Sequence, residues 1–213
     1  MGIFIFTLEI IGTIAFSISG AVTGMRKGMD VFGIVILGLV TAVGGGIMRD
    51  LILGINPPMT FVNPKYALIS IITSVLIFCF TYFNVIKFRV VLYNKLLFIM
   101  DALGLGVFTV VGVQTALVLS DRFGIFLLIF VGVMTGVGGG VVRDILAKDM
   151  PYIFIKHIYA SASIAGALVC LLLWSSVSPA GAMVIGAAVV FIIRCLSAYY
   201  KWSLPHIDGT FSE

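Results

Sequence analysis

Charged side chains make up only 10% of the 213 residues, too few to clothe the surface of a soluble domain. Cysteine is nearly absent. Cys79, Cys170 and Cys195 have no paired spacing, so neither a disulfide framework nor a thiolate metal site is available. The two histidines, His157 and His206, are isolated, which leaves no Ser-His-acid set for hydrolysis and no Cys/His cluster for a metal. The glycine-rich stretches lack the Lys-Ser/Thr of a phosphate loop, so no nucleotide or other cofactor is indicated. An intramembrane enzyme is the weakest functional class. The formal net charge of +4 is scattered over the connections between apolar runs, which argues against nucleic acid as a partner.

What the chain has instead is apolar sequence. It is 61% hydrophobic, with a mean hydropathy of +1.23, and its natural solvent is membrane lipid. A spanning helix needs about 20 mainly apolar residues, and seven such windows are expected near 3–24, 31–54, 65–86, 95–119, 123–146, 156–174 and 179–200. Each run is too long for a barrel strand and lacks period-two alternation, so the fold class is an all-α polytopic membrane protein. No basic residue precedes the first run and Glu9 lies inside it, so it is expected to be an uncleaved span rather than a signal peptide. The whole of 1–201 is expected to be one transmembrane domain, followed by a short tail at 202–213.

The basic residues encode orientation. Arg26, Lys27, Lys87, Arg89, Lys148 and Lys201 fall on one side of the expected spans, with Lys95 and Lys156 at adjacent helix ends, against Lys65 and Arg122 on the other. The positive-inside rule then makes the C-terminus cytoplasmic and the N-terminus external, in an inner membrane. Trp174 at one surface and Tyr199, Tyr200 and Trp202 at the other suit an aromatic belt.

The chain also repeats itself. Glu9, Gly12, Phe16, Gly20 and Thr23 match Asp101, Gly104, Phe108, Gly112 and Thr115 at every offset. Gly44-Gly45-Gly46-Ile-Met-Arg49-Asp50 matches Gly138-Gly139-Gly140-Val-Val-Arg143-Asp144, Pro57 matches Pro151, and Tyr66-Ala67 nearly matches Tyr159-Ala160. Three spans per repeat, at 3–86 and 95–174, place the copies in opposite senses in the bilayer, an arrangement that recurs in transport proteins. The seventh span, 179–200, has no counterpart.

The repeated motifs carry the candidate chemistry. A glycine costs about 1 kcal/mol relative to alanine inside a helix, so two matched triplets, Gly44 to Gly46 and Gly138 to Gly140, need a reason. Either they permit close helix packing, or the helix unwinds or kinks there and exposes backbone to a wet path. Arg49, Asp50, Arg143 and Asp144 are ionisable groups within spans, which usually pair or face water. Neighbours on a helix do not face each other, so each needs another partner. At 1.5 Å per residue, Glu9 lies about 9 Å and Arg49 about 7 Å inside the same surface. The expected pairs are therefore Glu9 with Arg49 and Asp101 with Arg143, leaving Asp50 and Asp144 for solvent, ion or substrate. A dry structural network of all six charges is the alternative. Thr13, Ser17 and Thr109 supply hydroxyls to a path, along with Ser19, Thr23, Gln114 and Thr115, although such groups commonly satisfy a local carbonyl.

With both the Gly-Gly-Gly-x-x-Arg-Asp and the acid-x-x-Gly-x-x-x-Phe motifs present twice, nearly the whole chain resembles prokaryotic members of the trimeric intracellular cation channel (TRIC) family. That resemblance implies seven helices per protomer, a homotrimer, and a separate pore inside each protomer, with the glycine triplets kinking the second and fifth helices around it. It implies monovalent cations, chiefly potassium, as the permeant species. Animal members carry a lysine-containing motif in the second helix where this chain has only glycines. The same bacterial domain is also described as a transporter for glycine. A channel needs a wet path of low field strength; a carrier of a zwitterion needs a cation and an anion in one site. The residues serve both.

Overall fold

A computed structural model describes residues 2–83, 90–155 and 158–202. Lys87, Arg89, Lys156, His157 and His206 lie outside them. The described residues form nine helices and no strand: α1 (Gly2–Arg26), α2 (Val31–Ile52), α3 (Met59–Val62), α4 (Lys65–Tyr82), α5 (Val90–Leu119), α6 (Ile125–Leu146), α7 (Tyr152–Ile155), α8 (Ala160–Leu173) and α9 (Pro179–Tyr199). Six of these are long and apolar enough to cross a membrane, while α8 is a shorter apolar helix of 14 residues.

Local chemistry fixes the helix ends. Asp30 caps α2 by accepting from the amide of Gly33 at 2.7 Å, and Ser178 caps α9 with Pro179 in its first turn, the position where a missing amide costs nothing. The ends of α2 and α6 are built alike. The amide of Ile55 donates to the carbonyl of Asp50, and that of Asp149 to the carbonyl of Asp144, both at 2.8 Å. Each closure turns through a left-handed residue, Gly54 at φ +73° and Lys148 at φ +55°, as a Schellman ending requires.

Helices α1, α2, α5 and α6 form the centre; α4 packs on α1 and α2 as α8 packs on α5 and α6, and α9 lies against α5 and α8. The polarity is the reverse of a soluble protein. Ile72, Phe126 and Leu172 are exposed on the outside, whereas Ser17, Thr41, Ser70, Thr109 and Thr135 are fully buried. Hydroxyls that lipid cannot satisfy find partners within the bundle.

The glycine triplets do not interrupt their helices, because both stay α-helical throughout. A Cβ on Gly45 would collide with the carbonyl oxygen of Thr135, and one on Gly139 with that of Thr41. The middle glycine of each triplet therefore lets α2 and α6 meet backbone to backbone, the packing reading rather than the unwinding one.

Candidate functional site

The first polar cluster gathers where the ends of α2, α3 and α4 meet α1. Arg49 Nε donates to Asp50 Oδ1 at 2.8 Å, and Asp50 Oδ2 accepts from the amide of Met59 at 2.8 Å. Two expectations fall here. Adjacent residues do pair, because the long arginine side chain folds back far enough for Nε to reach its neighbour. Asp50 is fully buried; it ties the end of α2 to the start of α3 and faces no solvent.

Glu9 accepts a hydrogen bond from the hydroxyl of Tyr66, and no ion pair joins it to Arg49. The two share a cavity of about 270 Å³, which Thr13, Gly46, Tyr66 and Thr115 also line. A Cβ on Gly46 would meet open space, so the third glycine of this triplet serves the cavity while the second serves packing. Glu9, Asp50 and Arg49 sum to one formal negative charge.

The second cluster uses the equivalent residues in a different arrangement. Arg143 Nη1 donates to Asp101 Oδ1 at 2.6 Å and Nε to Asp144 Oδ1 at 2.8 Å. Nη1 also reaches Ser19 on α1, and Asp144 Oδ2 accepts from the amide of Tyr152 at 3.0 Å. The expected pair of Asp101 with Arg143 is present. The expectation for Asp144 is not met, since it is 3% exposed and holds the start of α7 as Asp50 holds α3. A buried pair of this kind needs further hydrogen bonds to offset its desolvation, which Ser19 and the Tyr152 amide supply.

Between the clusters lie two phenylalanines. Phe16 and Phe108 pack with centroids 5.2 Å apart; a Cβ on Gly12 would touch the Phe108 ring, and one on Gly104 would overlap the Phe16 ring. The acid-x-x-Gly-x-x-x-Phe spacing thus has a mechanical cause, each glycine making room for the other copy's ring. Phe108 also lines the cavity.

Ser17 and Thr109 are not on the cavity wall. Ser17 donates to the carbonyl of Ser70 at 2.7 Å and bonds Ser74 Oγ at 2.9 Å. Thr109 donates to the carbonyl of Leu105 and meets Ser163 Oγ, both at 2.7 Å. These bonds tie α1 to α4 and α5 to α8. Gly44 and Gly138 face the opposite central helix, near Gly139 and Gly45 respectively, and Gly140 faces Tyr159 and Asp101.

Three residues were not among the sequence candidates. Tyr66 and Tyr159 occupy nearly matching positions in the repeat, but only Tyr66 bonds its motif acid, Glu9. Arg194 on α9 is 2% exposed and stacks between Phe98 and Tyr159, 5.2 and 4.8 Å from the ring centroids. Its position inside an apolar run was a sufficient signal, and the absence of a repeat counterpart hid it.

The family profile described as Glycine transporter matches residues 6–82 and 98–175. The UPF0126 inner membrane protein YadS of Escherichia coli K12 is 35% identical, the match covering 94% of this chain and 95% of that protein. The UPF0126 membrane protein YvgT of Bacillus subtilis is 32% identical over 93% and 94%. Among solved structures, a prokaryotic TRIC channel crystallised in 0.5 M KCl superposes with a TM-score of 0.87 at 31% identity, covering 96% of this chain and all of that one. The TRIC trimeric intracellular cation channel orthologue from Rhodobacter sphaeroides superposes at 0.83 with 32% identity, covering 93% and 98%.

Proposed function

This chain belongs to the prokaryotic TRIC family, the bacterial membrane proteins also described as glycine transporters, and on that premise we propose that it is a potassium-permeable cation channel with a pore inside each protomer. The observation that carries the reading is the cavity between α1, α2, α4 and α5, where a glutamate, three threonines and an open glycine line one space inside an apolar bundle. Glu9 and Arg49 bring one charge of each sign to its wall, and the carboxylate is the group that attracts a cation. The Glu9 carboxylate already accepts from Tyr66, which weakens its hold on a passing ion, and conduction requires binding weak enough to release.

We infer that seven helices cross an inner membrane as two inverted repeats, 3–86 and 95–174, with 179–200 closing the bundle. The N-terminus is outside and the C-terminus cytoplasmic. Three protomers assemble, as the solved relative's description as trimeric supports. The path runs past Glu9, Thr13, Gly46 and Arg49, across the phenylalanine pair, and past Gly140, Asp101 and Arg143.

A second reading, a carrier for a small zwitterion such as glycine, is favoured by Glu9 and Arg49 facing the same cavity with opposite charges and by the family's own description. Proteoliposomes separate the two. Potassium flux that does not saturate and follows the membrane potential supports the channel, whereas saturable glycine exchange without potassium conductance replaces it with the carrier.

A further inference from the structure

Three residues on the open cavity, Glu9, Tyr66 and Thr115, have repeat counterparts that are sealed. Thr115 lines the cavity, while its match Thr23 is 4% exposed. Glu9 and Tyr66 are half-buried, while Asp101 and Tyr159 are 0% and 1% exposed. The bonding differs in the same sense. In the open half the tyrosine hydroxyl holds the acid and the arginine does not. In the sealed half the arginine holds the acid at 2.6 Å, and the tyrosine hydroxyl has no hydrogen-bond partner among the described residues.

We propose that Tyr66 and Tyr159 are paired gate residues, each competing with the arginine of its own half for one carboxylate, and that this structure holds the first half open and the second shut. The proposal rests on the transport reading above and assigns its gates. Asp101 Oδ2, the Tyr159 hydroxyl, and Nε and Nη2 of Arg194 are all buried without hydrogen-bond partners, a costly condition for polar groups. Tyr159 and Asp101 both face Gly140. The point where a Cβ on Gly140 would sit is 2.9 Å from the Tyr159 hydroxyl and 3.6 Å from Asp101 Oδ1. A swing of the ring toward Asp101 lets Tyr159 donate to it, which releases Arg143 and reproduces the bond that Tyr66 makes with Glu9. Water entering the opened half then satisfies Arg194.

The sequence explains why this half is the shut one. Ser19 accepts from Arg143, and the position matching Ser19 in the second copy is Val111, which offers Arg49 no equivalent acceptor. Arg194 comes from the helix without a counterpart and stacks on the Tyr159 ring, holding it aside as a positioning residue.

The test begins with Tyr159→Phe in the otherwise native chain, in proteoliposomes. Because the hydroxyl bonds nothing in the shut state, a purely structural tyrosine predicts no change in flux. The gate predicts a fall of roughly tenfold with thermal stability unchanged or raised, since only the open state loses a hydrogen bond. A second readout needs no cargo. With Cys79, Cys170 and Cys195 replaced by alanine, Thr115→Cys should react rapidly with a membrane-impermeant thiol reagent and Thr23→Cys slowly, and adding Tyr159→Phe should slow the latter further. Equal labelling at the two positions, or Tyr159→Phe altering neither flux nor labelling, overturns the gate. A wild-type protein that carries neither potassium nor glycine overturns the transport reading instead, and the gate is then judged on labelling.

Discussion

Phe16 and Phe108 lie ring to ring with their centroids 5.2 Å apart and their planes tilted by 44°, Phe108 on the wall of the cavity and Phe16 against Gly104. Each ring sits against a glycine of the other repeat, so the pair depends on both copies of the motif at once. On the proposed path the pair would be an apolar constriction, which blocks ions by excluding water.

Removing one ring should therefore open a leak. Phe108→Ala is expected to cost about 3–5 kcal/mol of stability, as large-to-small changes in a core do, and to raise basal potassium flux per folded protein. Flux into proteoliposomes, normalised to correctly folded protein, checks it; an unchanged or reduced rate removes the pair from the path.

The glycines of the first triplet should behave differently from one another. Gly45→Ala drives a methyl group into the Thr135 carbonyl, with α6 backbone on the far side, and should cost about 1–3 kcal/mol. Gly46→Ala meets open space, should leave stability unchanged or raise it by up to about 1 kcal/mol, and should narrow the cavity. Thermal unfolding in detergent measures the first effect, and conductance measures the second.

Ion pairs at different depths should separate by energy. Asp101→Asn leaves Arg143 buried with its main partner gone and should cost about 3–5 kcal/mol. Lys27 and Asp149 meet at 2.5 Å, with side chains 30% and 34% exposed, and Lys27→Ala should change stability by less than about 1 kcal/mol. Denaturant titrations of the two variants give the comparison.

The bundle was legible because lipid leaves so few options. Long apolar runs can only be helices there, and the matched offsets of Glu9 and Asp101, or of Arg49 and Arg143, survive in the sequence whatever the packing. The bonding within the motif was not legible. Adjacent helix positions point apart at Cβ, and only the reach of the arginine side chain brings Arg49 onto Asp50, while the amide that Asp50 receives belongs to a short helix nine residues on. The glycines looked alike because sequence carries no facing direction. Gly45 meets a backbone and Gly46 meets space, a difference set by helix rotation. Arg194 lies outside the repeat, so no matched offset marks it.

The most direct measurement is the reversal potential of purified protein in a planar bilayer under a potassium chloride gradient, for the wild type and for Glu9→Gln. A potassium-permeable pore with Glu9 on its path gives a reversal near the potassium equilibrium potential in the wild type and a shift toward zero with reduced conductance in the variant. A wild-type reversal at the chloride potential, or a Glu9→Gln variant indistinguishable from wild type, would contradict it.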